Sequence, residues 1–200
     1  MKKIVFISML FVLLFSLAAC APTTAPAATE VVAEATEPPV DETAAPATVG
    51  ESVLEIDGND TTLNFTIEEL QALPATEGYA GLLSSAGNIT PPSLHKGVSL
   101  KDLVDQLGGM SETMGVYVEA VDGYGITFSY DQGMSGEFVT YYPANGTEIS
   151  VEGPLTAIVA YEREGELLDP VQDGQLRLVI VSPEPDNLVD GHWMVKWVNH

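Results

Sequence analysis

The apolar positions of this chain fall into three regimes. Residues 4–17 form an apolar run, residues 21–50 show no period, and residues 51–198 break into short strand-like and helix-like stretches. Within the last regime, Ser52–Ile56 and Thr62–Phe65 alternate as two strands around Asp57-Gly58-Asn59-Asp60, a hairpin turn signal. Thr66-Ile-Glu-Glu69 has the spacing of a capping box and predicts a helix that Pro74 stops. A second helix starts at Ser99, with Leu100, Leu103, Val104 and Leu107 on one face, and Gly108-Gly109 ends it. Val116–Asp122 alternates like a strand, breaks at Asp122-Gly123-Tyr124-Gly125, and resumes at Ile126–Ser129. Residues 131–153 are rich in Gly and polar residues and read as one long loop. Leu155–Ala160 is nearly continuous apolar, as a buried strand would be, and Glu162–Gly165 turns it back. Leu176–Val181, with Arg177 embedded, and Trp193–Val198 complete the strands.

Many strands with two short helices, not alternating as βαβ units, predict an α+β, mainly β, single domain over residues 51–200. Trp193, Trp197 and the Tyr141-Tyr142 pair read as core or loop packing.

The first fifty residues belong to export and tethering. Met1-Lys2-Lys3 is a basic start, and Ile4–Leu17 is too short to remain as a membrane span. The run closes on Leu17-Ala18-Ala19-Cys20, which resembles the bacterial lipoprotein cleavage box. The resemblance implies removal of residues 1–19 and lipidation of Cys20, hence a membrane partner through a lipid anchor. The location implied is extracytoplasmic, at the cell surface or in the periplasm. Ala21 in place of Asp leans toward the outer membrane of a two-membrane cell. The alternative is an ordinary signal peptide with an incidental cysteine. Residues 20–50 hold Ala, Pro, Thr, Val and acids, with no aromatic or basic residue, and predict a disordered tether. Its maximum reach is about 90 Å in polyproline conformation.

Charge narrows the partners. There are 29 acidic against 7 basic residues, and without Lys2 and Lys3 the balance is 5 − 29 = −24. Such a field repels nucleic acid and anionic headgroups, so no nucleic-acid partner is expected. One cysteine excludes an intrachain disulfide and a Cys-based zinc site. His95, His192 and His200 lack ligand spacing, so no metal site is expected from them. Nucleophile elbows, phosphate loops and dinucleotide fingerprints are missing too.

Four motifs, in order, resemble the sulfite-oxidase-type molybdopterin-binding oxidoreductase domain. They are Ser85-Ala-Gly-Asn88, Gly97-Val-Ser-Leu-Lys-Asp-Leu103, Asp122-Gly123-Tyr124, and Leu176–Val181 with Val195-Lys-Trp-Val198. Together they cover nearly all of residues 53–198. The resemblance implies a compact, mainly β domain with the pterin where loops converge. It makes Ser85, Asn88, His95, Asp122, Tyr124, Arg177 and Lys196 the candidate cofactor-binding residues.

Two departures bear on the chemistry. The family's molybdenum-ligating Cys is Ser85 here, a hard hydroxyl in place of a soft thiolate. The sulfite oxidases' Arg-Arg pair after the Asn is Ile89-Thr90. The domain has five bases against 29 − 5 = 24 acids, a thin complement for an anionic, phosphate-bearing cofactor. Three readings stay open. The domain has lost molybdenum catalysis and binds a small molecule or an envelope partner; or it is a divergent molybdopterin-dependent oxidoreductase using Ser85 or no protein ligand; or it is a cell-envelope spacer. Arg177 and Lys196 read equally as strand residues, one paired with an acid and one facing solvent. No catalytic residue is assigned, and whether the protein is an enzyme stays open.

Overall fold

The computed structural model describes residues 50–151 and 153–200. The signal segment, Cys20 and nearly all of the tether lie outside the described residues.

Strands β1 (Leu54–Gly58) and β2 (Thr61–Phe65) form the expected hairpin, and Asn59 and Asp60 both adopt positive φ at its turn. Two consecutive left-handed residues are what a tight two-residue hairpin requires, and Asn and Asp tolerate them best. Helix α1 (Ile67–Ala72) opens on the Thr66–Glu69 capping box, with both reciprocal hydrogen bonds made. Helix α2 (Leu100–Gln106) opens on Ser99, whose hydroxyl accepts from the Asp102 amide at 2.9 Å. Leu100 and Leu103 are buried beneath it.

A long hairpin, β3 (Ala75–Leu83) and β4 (Ile89–Ser99), was not legible as strands. Pro91 and Pro92 lack the amide a ladder needs, and Gly78 and Gly81 weaken strand propensity. The structure uses Gly81 at a register shift between Ala80 and Leu82, where a Cβ would collide with the Pro92 backbone. The next hairpin, β5 (Gly115–Glu119) and β6 (Gly125–Ser129), matches expectation.

Residues 131–153 are not one loop. Helix α3 (Tyr130–Ser135) is opened by a Ser129–Gln132 capping box and closed by Gly136 in the left-handed region, and β7 (Thr140–Tyr141) pairs with β8 (Glu148–Ile149). The chain continues through β9 (Thr156–Arg163), β10 (Glu166–Leu167), β11 (Arg177–Val181) and β12 (Leu188–Asp190). The expected strand at Trp193–Val198 shrinks to β13 (Val195–Lys196). Before it, Gly191–Trp193 form a 3₁₀ turn; after it, Trp197 takes φ +52 and bends the chain.

One sheet runs β13-β11-β9-β4-β3-β12-β7-β8, with β10 also on β9. All its pairings are antiparallel except β12 with β3. Central β9 buries Ala157 through Tyr161 continuously, and β11 buries Leu178 through Val181, so apolar side chains cover both faces there. The architecture is α+β and mainly β, as expected, with three short α-helices among the described residues rather than two.

The Gly97–Leu103 motif acts as a structural device. A Cβ on Gly97 would overlap the Val159 carbonyl of β9, so only glycine lets β4 and β9 approach there. Val98 is fully buried, Ser99 caps, and Leu100 and Leu103 enter the core. Gly97→Ala should cost about 3 kcal/mol, the upper part of the range for an overpacked core. Ser99→Ala should cost about 1 kcal/mol, as loss of a cap does. Urea unfolding followed by circular dichroism measures both.

Candidate functional site

The seven residues singled out by sequence lie at two ends of the β3–β4 hairpin. Ser85 and Asn88 occupy its exposed tip. The tip is closed locally: the Asn88 amide donates to Ser84 Oγ at 2.9 Å, and the Gly87 amide to the Ser84 carbonyl at 2.8 Å. β12 runs beside β3 with Asp190 opposite Leu83, so the 3₁₀ turn after β12 stands next to the tip.

In that turn Asp190 Oδ1 accepts from the His192 amide at 3.0 Å and lies 2.8 Å from its Nδ1. The backbone hydrogen bond from His192 is the main cause holding the Asp190 carboxyl below its usual range, against partial burial and helped by the imidazole. The Tyr124 hydroxyl donates to the His192 carbonyl at 3.3 Å. Asp122 Oδ1 accepts the Tyr124 amide at 3.0 Å, which folds the β5–β6 turn with Gly123 at positive φ. Trp193 anchors this end from below, 5.3 Å from Phe128 and 5.9 Å from Phe138 between ring centres. Asp122 and Tyr124 thus stand at the same end of the domain as the tip that carries Ser85 and Asn88, linked to it through His192 and Asp190, and together they form its loop rim.

His95, Arg177 and Lys196 lie at the other end. His95 faces Gly78 on β3, five residues from Leu83, which puts it about 17 Å from the tip at the usual rise per residue. There Asp173, 2% exposed, collects three cations: Arg177 Nη1 at 2.8 Å, Lys196 Nζ at 3.0 Å and Arg163 Nη1 at 3.1 Å. Register explains the convergence. Arg177 is opposite Lys196 on β13 and Ala160 on β9, and Arg163 ends β9 opposite His95. Lys196 also donates to the Gln172 carbonyl at 2.8 Å.

Burial pushes the Asp173 carboxyl up, but the hydrogen bond from Lys196 and the charges of Arg177, Lys196 and Arg163 together hold it below its ordinary value. Burial also lowers the His95 imidazole, and Arg177 and Arg163 reinforce that against the hydrogen bond to the Ser93 carbonyl and the Asp173 charge. His95 Nδ1 lies 2.9 Å from that carbonyl, which can only accept, so the proton sits on Nδ1. His95 Nε2 and Arg177 Nε are buried without partners.

All five bases of residues 51–200 (7 minus Lys2 and Lys3) are spent on carboxylates. Lys96 pairs with Glu77 at 3.6 Å and Lys101 with Asp105 at 2.6 Å, and Asp173 takes the rest. Sequence reasoning missed Asp173, Arg163, Asp190 and His192. An Asp four residues before an Arg outside a helix carries no signal, and Arg163 read as a turn residue.

An apolar cavity of about 310 Å³ lies beside α2, and a more polar one of about 640 Å³ lies against Phe138, Thr140, Ile149 and Leu155. None of the seven residues lines either. Among the described residues no group of three or more His, Cys, Asp or Glu is placed to hold a metal, and no helix is long and apolar enough to cross a membrane.

No family model matches this chain, and no curated protein does. Among solved structures it is similar to the sulfane dehydrogenase SoxCD from Paracoccus pantotrophus, at 22% identity and a TM-score of 0.53. The match covers 73% of this chain and 36% of that one, so the chain spans about a third of that protein's length. At this identity the likeness is one of fold.

Asp173→Asn should cost about 3 kcal/mol, because it leaves the largely buried Arg177 without its counter-charge, while Arg163 and Lys196 can turn to solvent. Acid should act the same way. His95 and Asp173 both have folded values below their unfolded ones, so each contributes stability above its unfolded value and loses it as pH falls through the folded one. Urea midpoints should decline as pH drops below about 6.5, from His95, and again below about 4, from the carboxylates. In His95→Gln the first decline should vanish while the second stays.

Proposed function

We propose that this is a lipid-tethered extracytoplasmic domain that keeps a molybdopterin-oxidoreductase fold without molybdenum catalysis. It serves instead as a binding module for a small molecule or an envelope partner. The observation that carries this reading is where the charges stand. A phosphate-bearing anionic cofactor needs cations at the rim where the loops meet. That rim offers the Ser85 hydroxyl, the Asn88 amide, His192 and the carboxylates of Asp122 and Asp190. The bases that the motifs pointed to, Arg177 and Lys196, are instead closed on Asp173 at the opposite end of the β3–β4 hairpin, on the side of His95.

The donor set therefore does not fit the group. A hydroxyl at an exposed hairpin tip is a poor substitute for a soft thiolate, and carboxylates at the rim repel a phosphate. No step of molybdenum chemistry follows from these residues. The acidic field and the tether composition suit a protein held away from a membrane surface.

The test is elemental analysis of the protein purified from a host that makes the cofactor, with pterin fluorescence after oxidative release. Metal and pterin should be absent, and Ser85→Cys should not recruit them, because the rim still lacks cations. Stoichiometric molybdenum in the native protein would establish the divergent oxidoreductase instead. Radiolabelled fatty acid should enter the native chain and not Cys20→Ser; equal labelling of both would remove the anchor.

A further inference from the structure

The apolar cavity beside α2 belongs to neither end of the β3–β4 hairpin. Its floor is core: Leu54, Leu103 and Val118 are each at most 3% exposed. Its walls come from separate elements, the β1–β2 hairpin, α2 and β5. The hairpin is pinned over it by Asn59, whose amide donates to the Leu107 carbonyl at 2.9 Å and the Gly109 carbonyl at 3.2 Å. Met110 and Met114 line the cavity, and Met114 is 48% exposed at the rim. Thioethers are adaptable and favour contact with aromatic rings. Asp57 and His200 also line it, joined by a 2.6 Å contact from Asp57 Oδ1 to His200 Nε2. No Lys or Arg lines it.

We propose that this cavity is a binding site for an uncharged aromatic molecule of about two rings. Size sets the upper bound. An apolar cavity of about 150 Å³ takes one benzene, so about 310 Å³ takes two fused or linked rings. Charge sets the class. The cavity supplies no lysine or arginine for an anionic head, and Asp57 at the rim of a strongly acidic protein turns one away. The apolar floor rejects a buried cation as well. What remains is a neutral ring system seated between the floor leucines and the methionines. The proposal gives a location and ligand class to the binding role argued above, and it does not depend on the molybdenum result, which is read separately.

The test uses two dyes with one two-ring system, neutral 5-dimethylaminonaphthalene-1-sulfonamide and the anionic 5-dimethylaminonaphthalene-1-sulfonate, titrated into the purified full chain by fluorescence. The neutral dye should saturate at one per chain, and the sulfonate should bind at least about tenfold more weakly. Val104→Phe, which fills the cavity, should abolish binding, and Asp57→Asn should narrow the gap between the dyes. Should Val104→Phe fail to fold by circular dichroism, Met114→Asp at the exposed rim takes its place and should weaken the neutral dye about tenfold. Val171→Phe, at a site 83% exposed and away from the cavity, should change nothing. Absence of saturable binding, equal affinity for both dyes, or binding indifferent to both cavity variants would overturn the proposal.

Discussion

The carboxylate of Asp173 is the contact on which the far end of this domain depends. A single buried anion draws Arg163 from the end of β9, Arg177 from the start of β11 and Lys196 from β13. The same residue ties the bent carboxy-terminal segment, because the Trp197 amide donates to its carbonyl at 2.9 Å. Burying one charge is costly, and only surrounding it with opposite charge and hydrogen bonds makes burial tolerable. The consequence for function is direct. Cations held by a buried carboxylate are not available to a ligand elsewhere, and that commitment uses three of the five bases in residues 51–200.

Seen this way, the motifs that resemble an oxidoreductase divide by physical role. Gly97 permits close approach of strands, Ser99 caps α2, and Asp122 folds a turn by accepting the Tyr124 amide. Leu176 and Leu178–Val181 supply the buried centre. Each is explained by packing or backbone geometry with no ligand present. Ser85 has no such structural role: it sits exposed at a tip whose closure is made by Ser84, Gly87 and Asn88. The position that the resemblance sets against a ligand cysteine is thus held by packing and hydrogen bonds less than the rest of the motif set.

The legible part of the fold was the part written in local periodicity and caps. The Asn59-Asp60 turn, the Thr66 and Ser99 caps and the apolar runs of β9 and β11 all announce themselves over a few residues. The β3–β4 hairpin did not, because Pro91, Pro92, Gly78 and Gly81 contradict strand propensity and are justified only by neighbours far along the chain. Helix α3 was legible in principle through Ser129-x-x-Gln132, but the surrounding glycines and polar residues masked it. For the candidate site, residue types were visible but grouping was not. Arg177 and Lys196 proved to be register partners on β11 and β13, and the Asp173 that claims them lies in a loop with no distinguishing pattern.

The most direct measurement is the titration of Asp173 itself, read from its side-chain carboxyl carbon by NMR in selectively labelled protein, with Asp173→Asn to assign the signal. If the three cations are closed on this carboxylate, its transition lies below the ordinary aspartate value of 3.8. A transition at or above that value would mean that Arg163, Arg177 and Lys196 are free of it, and the account of where this protein's positive charge is spent would be wrong.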